Sequence, residues 1–263
     1  MRVVISGAAG NMGREVVRAV NAEEDIQLVG AVDTYEIGTD VGALCALGEL
    51  GVKMNSDLEK TLRESKAEVM IDFTSPFVVM NNIDIALSCG VDLVVGTTGI
   101  TSVDLINIKK TAAEKGIKAI IAPNFALGAV LMMKFSGIAA KYFKDVEVIE
   151  MHHDQKIDAP SGTALKTVQM IAEERGFQEP EKMEEIEKVP NVRGGELEGI
   201  NIHSVRLPGL VAHQQVIFGG LGQTLTIKHD SINRASFMPG VIMALRKLEE
   251  IEGVVFGLEN IIT

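Results

Sequence analysis

The sequence predicts an α/β protein with a parallel sheet in its first half and an α+β domain in its second half. Short β-branched runs alternate with helical stretches from Arg2 to Ala122, and a glycine triplet follows the first run. Beyond residue 200, three strand-like runs follow one another without helices between them. Alternating strands and helices form parallel sheets covered on both faces, whereas consecutive strands form antiparallel or mixed sheets.

The first half contains five predicted strands with three predicted helices among them. The strands are Arg2–Ser6, Ile26–Val32, Val69–Phe73, Asp92–Gly96 and Lys118–Ala122, and the helices are Asn11–Ala22, Phe77–Cys89 and Ser102–Lys115. Parallel sheets bind ligands at the carboxyl ends of their strands, so the residues that follow each strand are the first candidates for a site.

Composition excludes several classes of function. The chain has 263 residues, a net charge of −11 and no basic stripe, which argues against nucleic-acid binding. The first apolar run is too short for a signal peptide, and no later stretch reaches the roughly 18 apolar residues of a membrane span. Cys45 and Cys89 lie in apolar stretches and are predicted to be buried free thiols. These features predict a soluble cytoplasmic protein without a metal or a nucleic-acid partner.

The turn after the first strand is typical of a Rossmann-type dinucleotide-binding domain. It reads Gly7-Ala8-Ala9-Gly10-Asn11-Met12-Gly13, a GxxGxxG pattern that opens a helix. Glycines let the backbone approach a pyrophosphate, and the helix N-terminus then offers N–H groups to it. The competing interpretation is an ordinary glycine-rich turn that holds no cofactor.

Asp33 follows the second strand, twenty residues after Gly13. A carboxylate here accepts hydrogen bonds from both hydroxyls of an adenosine ribose and repels a 2′-phosphate. Thr34, Tyr35 and Glu36 supply no positive charge, which favours NADH over NADPH.

Small or hydroxyl-bearing turns follow the third, fourth and fifth strands. Each is an ordinary loop by itself, but their shared edge of the sheet predicts the nicotinamide side of a cofactor site. The residues are Asp72 to Pro76, then Gly96, Thr97 and Thr98, and finally Ala122, Pro123, Asn124 and Phe125.

The richest chemistry lies between Glu150 and Ala164, in EMHHDQKIDAPSGTA. His152, His153 and Lys156 precede a Ser161-Gly162-Thr163 turn, which presents backbone N–H groups at the start of a helix. The stretch is typical of a site that binds an anion and moves a proton. Metal binding by His-His-Asp is the competing interpretation, but no HExxH motif or third spaced ligand accompanies it.

The second half is predicted to form a separate domain. Its elements are a helix Gly128–Phe143, a strand Val146–Met151, a helix Ala164–Arg175, a charged segment Glu179–Glu196, the strands Ile200–Arg206, Val211–Phe218 and Leu221–Lys228, and a helix Pro239–Glu250 that returns to the first domain. The predicted domains are therefore 1–126 with 238–263 for the dinucleotide, and 127–237 for substrate binding and tetramerisation. The hinges are expected near Ala126 and Phe237.

Together, GAAGNMG, DFTSP, GTTG, APNF and EMHHDQKIDAPSGTA resemble the 4-hydroxy-tetrahydrodipicolinate reductase family along nearly the whole chain. The resemblance implies NAD(P)H-dependent reduction of 4-hydroxy-tetrahydrodipicolinate, with loss of water, in diaminopimelate and lysine biosynthesis. It implies that His152 donates a proton, that Lys156 is also catalytic, and that His153, Gly162 and Thr163 contact a cyclic dicarboxylate substrate. It also implies a homotetramer.

Two residues depart from the family pattern. Asn11 stands where many members carry Arg, and Thr34 stands where some carry a basic residue. Both changes remove positive charge where a 2′-phosphate would lie, so NADH is the expected cofactor and NADPH a possible one. Two other functions remain open: a nicotinamide-binding sensor without turnover, and an oxidoreductase of similar fold such as an amino-acid dehydrogenase.

Overall fold

The computed structural model describes residues 1–175 and 186–262, and the chain divides into two compact units. The first unit comprises Met1–Phe125 together with Phe237–Thr263, and the second comprises Ala126–Ser236. Each unit has its own sheet and its own helices.

Twelve strands and eight α-helices occur in the described residues. The strands are β1 (Arg2–Ser6), β2 (Gln27–Val32), β3 (Met54–Asn55), β4 (Val69–Asp72), β5 (Asp92–Val95), β6 (Ala119–Ile121), β7 (Asp145–His152), β8 (Gly195–Leu197), β9 (Ile200–Arg206), β10 (Ala212–Gly220), β11 (Gln223–Ser231) and β12 (Val254–Phe256). The helices are α1 (Asn11–Asn21), α2 (Val41–Leu44), α3 (Leu58–Glu64), α4 (Val79–Cys89), α5 (Ser102–Lys115), α6 (Leu127–Ala140), α7 (Gly162–Arg175) and α8 (Met238–Lys247).

The first unit is built on a seven-stranded sheet in the order β12-β6-β5-β4-β1-β2-β3. Every pair of neighbouring strands in it is parallel. The predicted parallel sheet is therefore confirmed, and the carboxyl ends of its strands lie along one edge. The central strands β1, β4, β5 and β6 are buried on both faces, which explains their near-continuous β-branched and leucine content.

Two layers of helices cover this sheet. Helix α1 packs with α8, whereas α3, α4 and α5 pack together. The core beside the second layer contains Val4, Met70 and Leu93 from the strands and Ile83 and Ile108 from the helices. Local sequence sets the helix ends: a Thr101–Asp104 capping box starts α5, while left-handed glycines end α4 and α5.

Four short elements of this unit have no counterpart in the sequence prediction, namely α2, β3, α3 and β12. Strands β3 and β12 have only two and three residues, which is too short for a period-2 pattern to show. Asp40, the N-cap residue of α2, organises the segment from α2 to β3. Its carboxylate accepts hydrogen bonds from the backbone N–H groups of four residues: Gly42, Ala43, Leu50 and Gly51.

The second unit has a five-stranded sheet in the order β11-β10-β7-β9-β8. Strands β7 and β9 run parallel and the other neighbours run antiparallel, so the sheet is mixed. Helices α6 and α7 pack on each other; α6 also packs on β10 and β11, and α7 on β7. The prediction of an α+β domain with a mixed or antiparallel sheet is confirmed.

Several predicted boundaries need correction. Strand β11 begins at Gln223 and ends at Ser231, because Leu221 and Gly222 form the hairpin turn between Gly220 and Gln223. The predicted charged segment Glu179–Glu196 falls in part outside the described residues, at 179–185, and residues 186–194 form an exposed loop before β8. Both cysteines are free, but Cys89 is only partly buried whereas Cys45 is buried. Within 1–175 and 186–262, no helix has the length and apolarity to cross a membrane.

Candidate active site

The glycine turn after β1 is compact because it has no side chains to accommodate. Gly7 has a φ of +82°, and its N–H donates to the carbonyl of Val32 at 2.8 Å. A Cβ on Gly13 would lie 2.0 Å from the carbonyl oxygen of Gly7, so the start of α1 touches the turn directly. A methyl group on Gly7 would clash with the carbonyl of Phe73, and one on Gly13 would clash with the carbonyl of Gly7.

The first turn of α1 has no side chain capping it. Gly10 occupies the N-cap position, and no acidic residue lies in the first turn. Backbone N–H groups at such a helix start are available to an anion, and the helix dipole favours negative charge there. This turn therefore fits the pyrophosphate of a dinucleotide, with Gly7, Ala8, Ala9, Gly10, Asn11 and Met12 around it.

Asp33 is tied to the glycine turn by hydrogen bonds. Its Oδ2 accepts the N–H of Ala9 at 2.9 Å, while Oδ1 accepts the N–H groups of Thr34 at 2.7 Å and Tyr35 at 3.2 Å. The carboxylate thus fixes the loop after β2 against the loop after β1, and Oδ2 retains one lone pair for a ribose hydroxyl.

A cation that the sequence prediction did not consider lies beside this loop. Arg14 donates from Nε to the carbonyl of Ala9 at 2.8 Å. Its guanidinium is therefore adjacent to the residue that Asp33 binds. The signal for it was the position of Arg14 in the first turn of the helix that follows the glycine triplet.

Asp72 organises the loops after β4 and β5. This carboxylate is completely buried. Its Oδ1 accepts the hydroxyls of Thr97 at 2.6 Å and Thr74 at 2.7 Å, and its Oδ2 accepts the Asn82 amide at 2.8 Å. Thr97 is consequently a buried structural contact, whereas Thr98 is exposed.

Close glycine packing joins the same loops to the one after β6. A Cβ on Gly96 would lie 2.2 Å from the ring of Phe73, and that ring lies 5.8 Å from the ring of Phe125. The predicted cofactor residues after β1, β2, β5 and β6 thus lie along one edge of one sheet. Ala122 and Phe125 are buried, whereas Pro123 is exposed and Asn124 is partly buried.

In the second unit, β7 carries His152 as its last residue. Side chains alternate along a strand, so Glu150 and His152 share one face. Glu150 is completely buried, and its Oε2 lies 2.5 Å from Nδ1 of His152, whose side chain is 15% exposed. The strand is one residue longer at each end than predicted, which places His152 inside it and His153 beyond it.

Arg206, at the end of the neighbouring strand β9, completes this arrangement. Its guanidinium binds both carboxylate oxygens of Glu150, at 2.7 and 2.9 Å. Burial works against ionisation of Glu150, but hydrogen bonds from His152, Arg206 and Ser204 outweigh it and hold its pKa at about 2. Glu150 is therefore an anion at any working pH. An ionised carboxylate only accepts hydrogen bonds, so Nδ1 of His152 is the donor.

His153 and Lys156 lie in a turn directly after β7. The carbonyl of His153 accepts the N–H of Lys156 at 3.2 Å, and His153 itself is exposed. The ammonium of Lys156 donates to Oδ1 of Asp158 at 2.8 Å. This bond lowers the pKa of Asp158 below its usual range.

The Ser161-Gly162-Thr163 turn begins α7. Ser161 is buried, and its Oγ accepts the N–H of Ala164 at 3.2 Å, which caps the helix. Gly162 is exposed and Thr163 is partly buried. The turn therefore has the helix-start geometry expected for binding a carboxylate, with the serine hydroxyl also serving as a cap.

Sequence reasoning assigned no chemical role to Glu150, Ser204 or Arg206. The available signal was the spacing of Glu150 and His152, two residues apart at the end of an apolar strand. Arg206 lies 56 residues from Glu150 and meets it only through the register of β7 and β9. Among the residues described, no cluster of three or more His, Cys, Asp or Glu is arranged to hold a metal ion.

Comparison with known proteins identifies the family. Residues 1–125 match the model of the dihydrodipicolinate reductase N-terminus, and residues 128–262 match that of its C-terminus. A 4-hydroxy-tetrahydrodipicolinate reductase of Desulfitobacterium hafniense is 52% identical over 99% of this chain and 98% of its own. The enzyme of the same name from Halalkalibacterium halodurans is 51% identical over 100% of this chain and 99% of its own.

Solved structures agree. The dipicolinate-bound dihydrodipicolinate reductase of Paenisporosarcina sp. TG-14 superposes with a TM-score of 0.89 and 46% identity, covering 100% of this chain and 99% of its own. An amine dehydrogenase of Mycobacterium smegmatis has a TM-score of 0.70 over 97% of this chain and 94% of its own. Its 13% identity shows a shared fold alone. The chain belongs to the dihydrodipicolinate reductase family and is an NAD(P)H-dependent oxidoreductase of diaminopimelate and lysine biosynthesis.

Proposed function

We propose that this chain reduces 4-hydroxy-tetrahydrodipicolinate to tetrahydrodipicolinate, with loss of water, and that His152 supplies the proton. Hydride addition to a conjugated imine builds negative charge at the far end of the conjugated system, so a proton must arrive there. A bound nicotinamide supplies the hydride. The first unit is the proposed dinucleotide-binding domain, and the second is the proposed substrate-binding domain.

The observation that carries this proposal is the arrangement of Glu150 and His152. A histidine that donates from Nδ1 to a buried anion keeps Nε2 as its reacting nitrogen. The same anion stabilises the positive charge of an imidazolium that is ready to give up a proton. His203 and Arg193 pair with Glu147 in a similar way, but the side chain of Glu147 is 39% exposed, whereas that of Glu150 has no exposed surface.

Substrate carboxylates are proposed to bind His153, Lys156 and the Ser161-Gly162-Thr163 turn. The dipicolinate bound to the Paenisporosarcina relative is a small cyclic dicarboxylate, which supports this class of ligand. Lys156 is held 2.8 Å from Asp158, so a substrate carboxylate would compete with Asp158 for the ammonium. The net charge of −11 opposes anion binding at long range, so these local donors must outweigh it.

NADH is the proposed preferred cofactor. Asp33 lies where a 2′-phosphate would meet a carboxylate, and Asn11 and Thr34 supply no charge to offset it. Arg14 donates to the carbonyl of Ala9 beside this loop, which supports some use of NADPH. Its Nε is already committed to the carbonyl of Ala9, so it favours a 2′-phosphate less than a free side chain would.

The reaction and the cofactor preference are tested in one assay. Freshly generated 4-hydroxy-tetrahydrodipicolinate is added to the protein with NADH or NADPH, and loss of nicotinamide absorbance is followed. We expect substrate-dependent oxidation of both, with a higher kcat/KM for NADH. A non-catalytic sensor would bind NADH without oxidising it, and an amino-acid dehydrogenase would act on amino acids instead.

A homotetramer in the cytoplasm is the proposed working form. Strand β11 is a nine-residue edge of its sheet, with exposed Leu221 and Leu225 near its turn. Long edge strands of this kind readily pair with other chains. The mass in solution is expected near four times the 28.3 kDa of one chain, and a monomer at assay concentration would contradict the proposal.

Two free cysteines support a reducing compartment such as the cytoplasm.

A further inference from the structure

We infer that Glu150, held in place by Arg206, is the positioning residue of the proposed proton donor: it fixes the ring of His152 and directs Nε2 to the reaction. This inference rests on the proposed role of His152 and adds a residue to it. Neither the motif pattern nor the resemblance assigns Glu150 a function.

The geometry of Glu150 is specific for orienting an imidazole. One carboxylate oxygen, Oε2, accepts hydrogen bonds from Nδ1 of His152 at 2.5 Å and from Nη1 of Arg206 at 2.9 Å. The other oxygen, Oε1, accepts a hydrogen bond from Nη2 of Arg206 at 2.7 Å. The side chain of Glu150 has no exposed surface, so water cannot replace these donors. These hydrogen bonds hold the carboxylate of Glu150 in one orientation, and the carboxylate in turn fixes the orientation of the His152 ring.

Arg206 connects this pair to the turn that carries Lys156. Besides Glu150, its Nη2 donates to the carbonyl of Asp158 at 2.7 Å. Asp158 in turn holds the ammonium of Lys156 through its side chain. The buried ion pair between Glu150 and Arg206 therefore fixes the position of the His152 imidazole at the end of β7 and of the loop that follows it.

A structural ion pair alone would not require this histidine. Arg206 already satisfies both oxygens of Glu150, so folding does not need a third donor at Oε2. Burial of a carboxylate is costly, and an apolar pair of similar volume is often at least as stable. The placement of His152 two residues along the same strand face instead matches the pairing of an imidazole with an orienting acid.

The test compares Glu150→Gln, His152→Gln and the double variant. Gln keeps the shape of the side chain but removes the anion, which permits the wrong tautomer of His152. We expect Glu150→Gln to lower kcat on the order of 10²-fold with little change in NADH affinity. The alkaline limb of its pH profile should move to lower pH, because the imidazolium loses its counter-charge. In the His152→Gln background the same change should cost nothing further.

Glu147→Gln is the matched control. Glu147 lies on the same strand but the opposite face, where it binds His203 at 2.9 Å, and its loss should leave kcat unchanged. Circular dichroism and thermal unfolding show whether each variant folds. If Glu150→Gln does not fold, Glu150→Asp is used instead, because it keeps the negative charge on a shorter side chain. This variant should lower kcat about tenfold.

Three outcomes would overturn the inference. The first is a kcat of Glu150→Gln within twofold of that of the parent protein while His152→Gln is inactive. If Glu150→Gln does not fold, the same result for a folded Glu150→Asp counts. Either result would leave the proposed proton donor intact and remove the role of Glu150. The second is a kcat of the double variant that is reduced by the product of the two single-variant fold-decreases. The third is normal turnover by His152→Gln, which would defeat the proposed proton donor itself.

Discussion

His152 and His153 are neighbours in sequence but have different surroundings. His152 ends β7 on the buried face with Glu150, whereas His153 is exposed in the following turn. The end of the strand separates them, because His152 is the last residue of β7 and His153 lies beyond it. The different environments support different proposed tasks, proton donation for His152 and substrate contact for His153.

Lys156 gives a prediction at this scale. Lys156→Ala should lower kcat and kcat/KM about 10²-fold while the protein stays folded, because the ammonium is proposed to stabilise developing negative charge. Steady-state kinetics at saturating NADH measures both constants. Lys144→Ala removes an exposed lysine of the same unit and should have no effect. Near-normal turnover of Lys156→Ala would remove Lys156 from the proposed catalytic residues.

Individual residues were predicted where their neighbours in sequence carry the signal. The histidine pair, Lys156 and the serine-glycine-threonine turn lie within one short stretch, so their chemistry could be recognised together. Glu150 and Arg206 could not be paired from the sequence, because their contact depends on β9 lying parallel to β7. The buried network around Asp72 likewise joins β4, α4 and the loop after β5.

At the scale of elements, the turn between β1 and α1 depends most on its glycines. Gly13→Ala would place a methyl group 2.0 Å from the carbonyl of Gly7, so the turn must open. We expect NADH to bind at least tenfold more weakly, because the helix start can no longer approach a pyrophosphate. Titration of NADH fluorescence measures this affinity.

Gly195→Ala is the control for that substitution. A Cβ on Gly195 meets no atom within 4 Å, and its backbone does not require glycine. Its NADH affinity should equal that of the parent protein. Unchanged affinity in a folded Gly13→Ala variant would mean that the glycine turn does not hold the cofactor.

Elements with a clear apolar pattern were predicted, including the helices α1, α4 and α5 and the strands β1, β4, β5 and β6. Helix α3 was missed although it has seven residues, and so were the shorter α2, β3 and β12. Strand β12 has three residues and is placed by pairing with β6, which its own sequence does not encode. The Asp40 loop is likewise fixed by backbone hydrogen bonds to one side chain rather than by a periodic pattern.

For the whole molecule, each of the two units carries residues that suit one part of the proposed reaction. The first unit offers the helix start, Asp33 and the turns of a parallel sheet, which suit a dinucleotide. The second offers His152, His153 and Lys156 from the end of one strand and its following turn, which suit a small dicarboxylate. The local cations of the second unit must attract an anion to a chain whose net charge is −11, so substrate binding is expected to depend on them individually.

The most direct test of the account is the turnover of His152→Gln with NADH and freshly generated 4-hydroxy-tetrahydrodipicolinate. The account predicts that the parent protein oxidises NADH only when substrate is present. It predicts that the folded variant binds NADH normally but turns over at least about 10²-fold more slowly, because the proton donor is gone. Turnover by the variant at the rate of the parent protein would contradict the central claim.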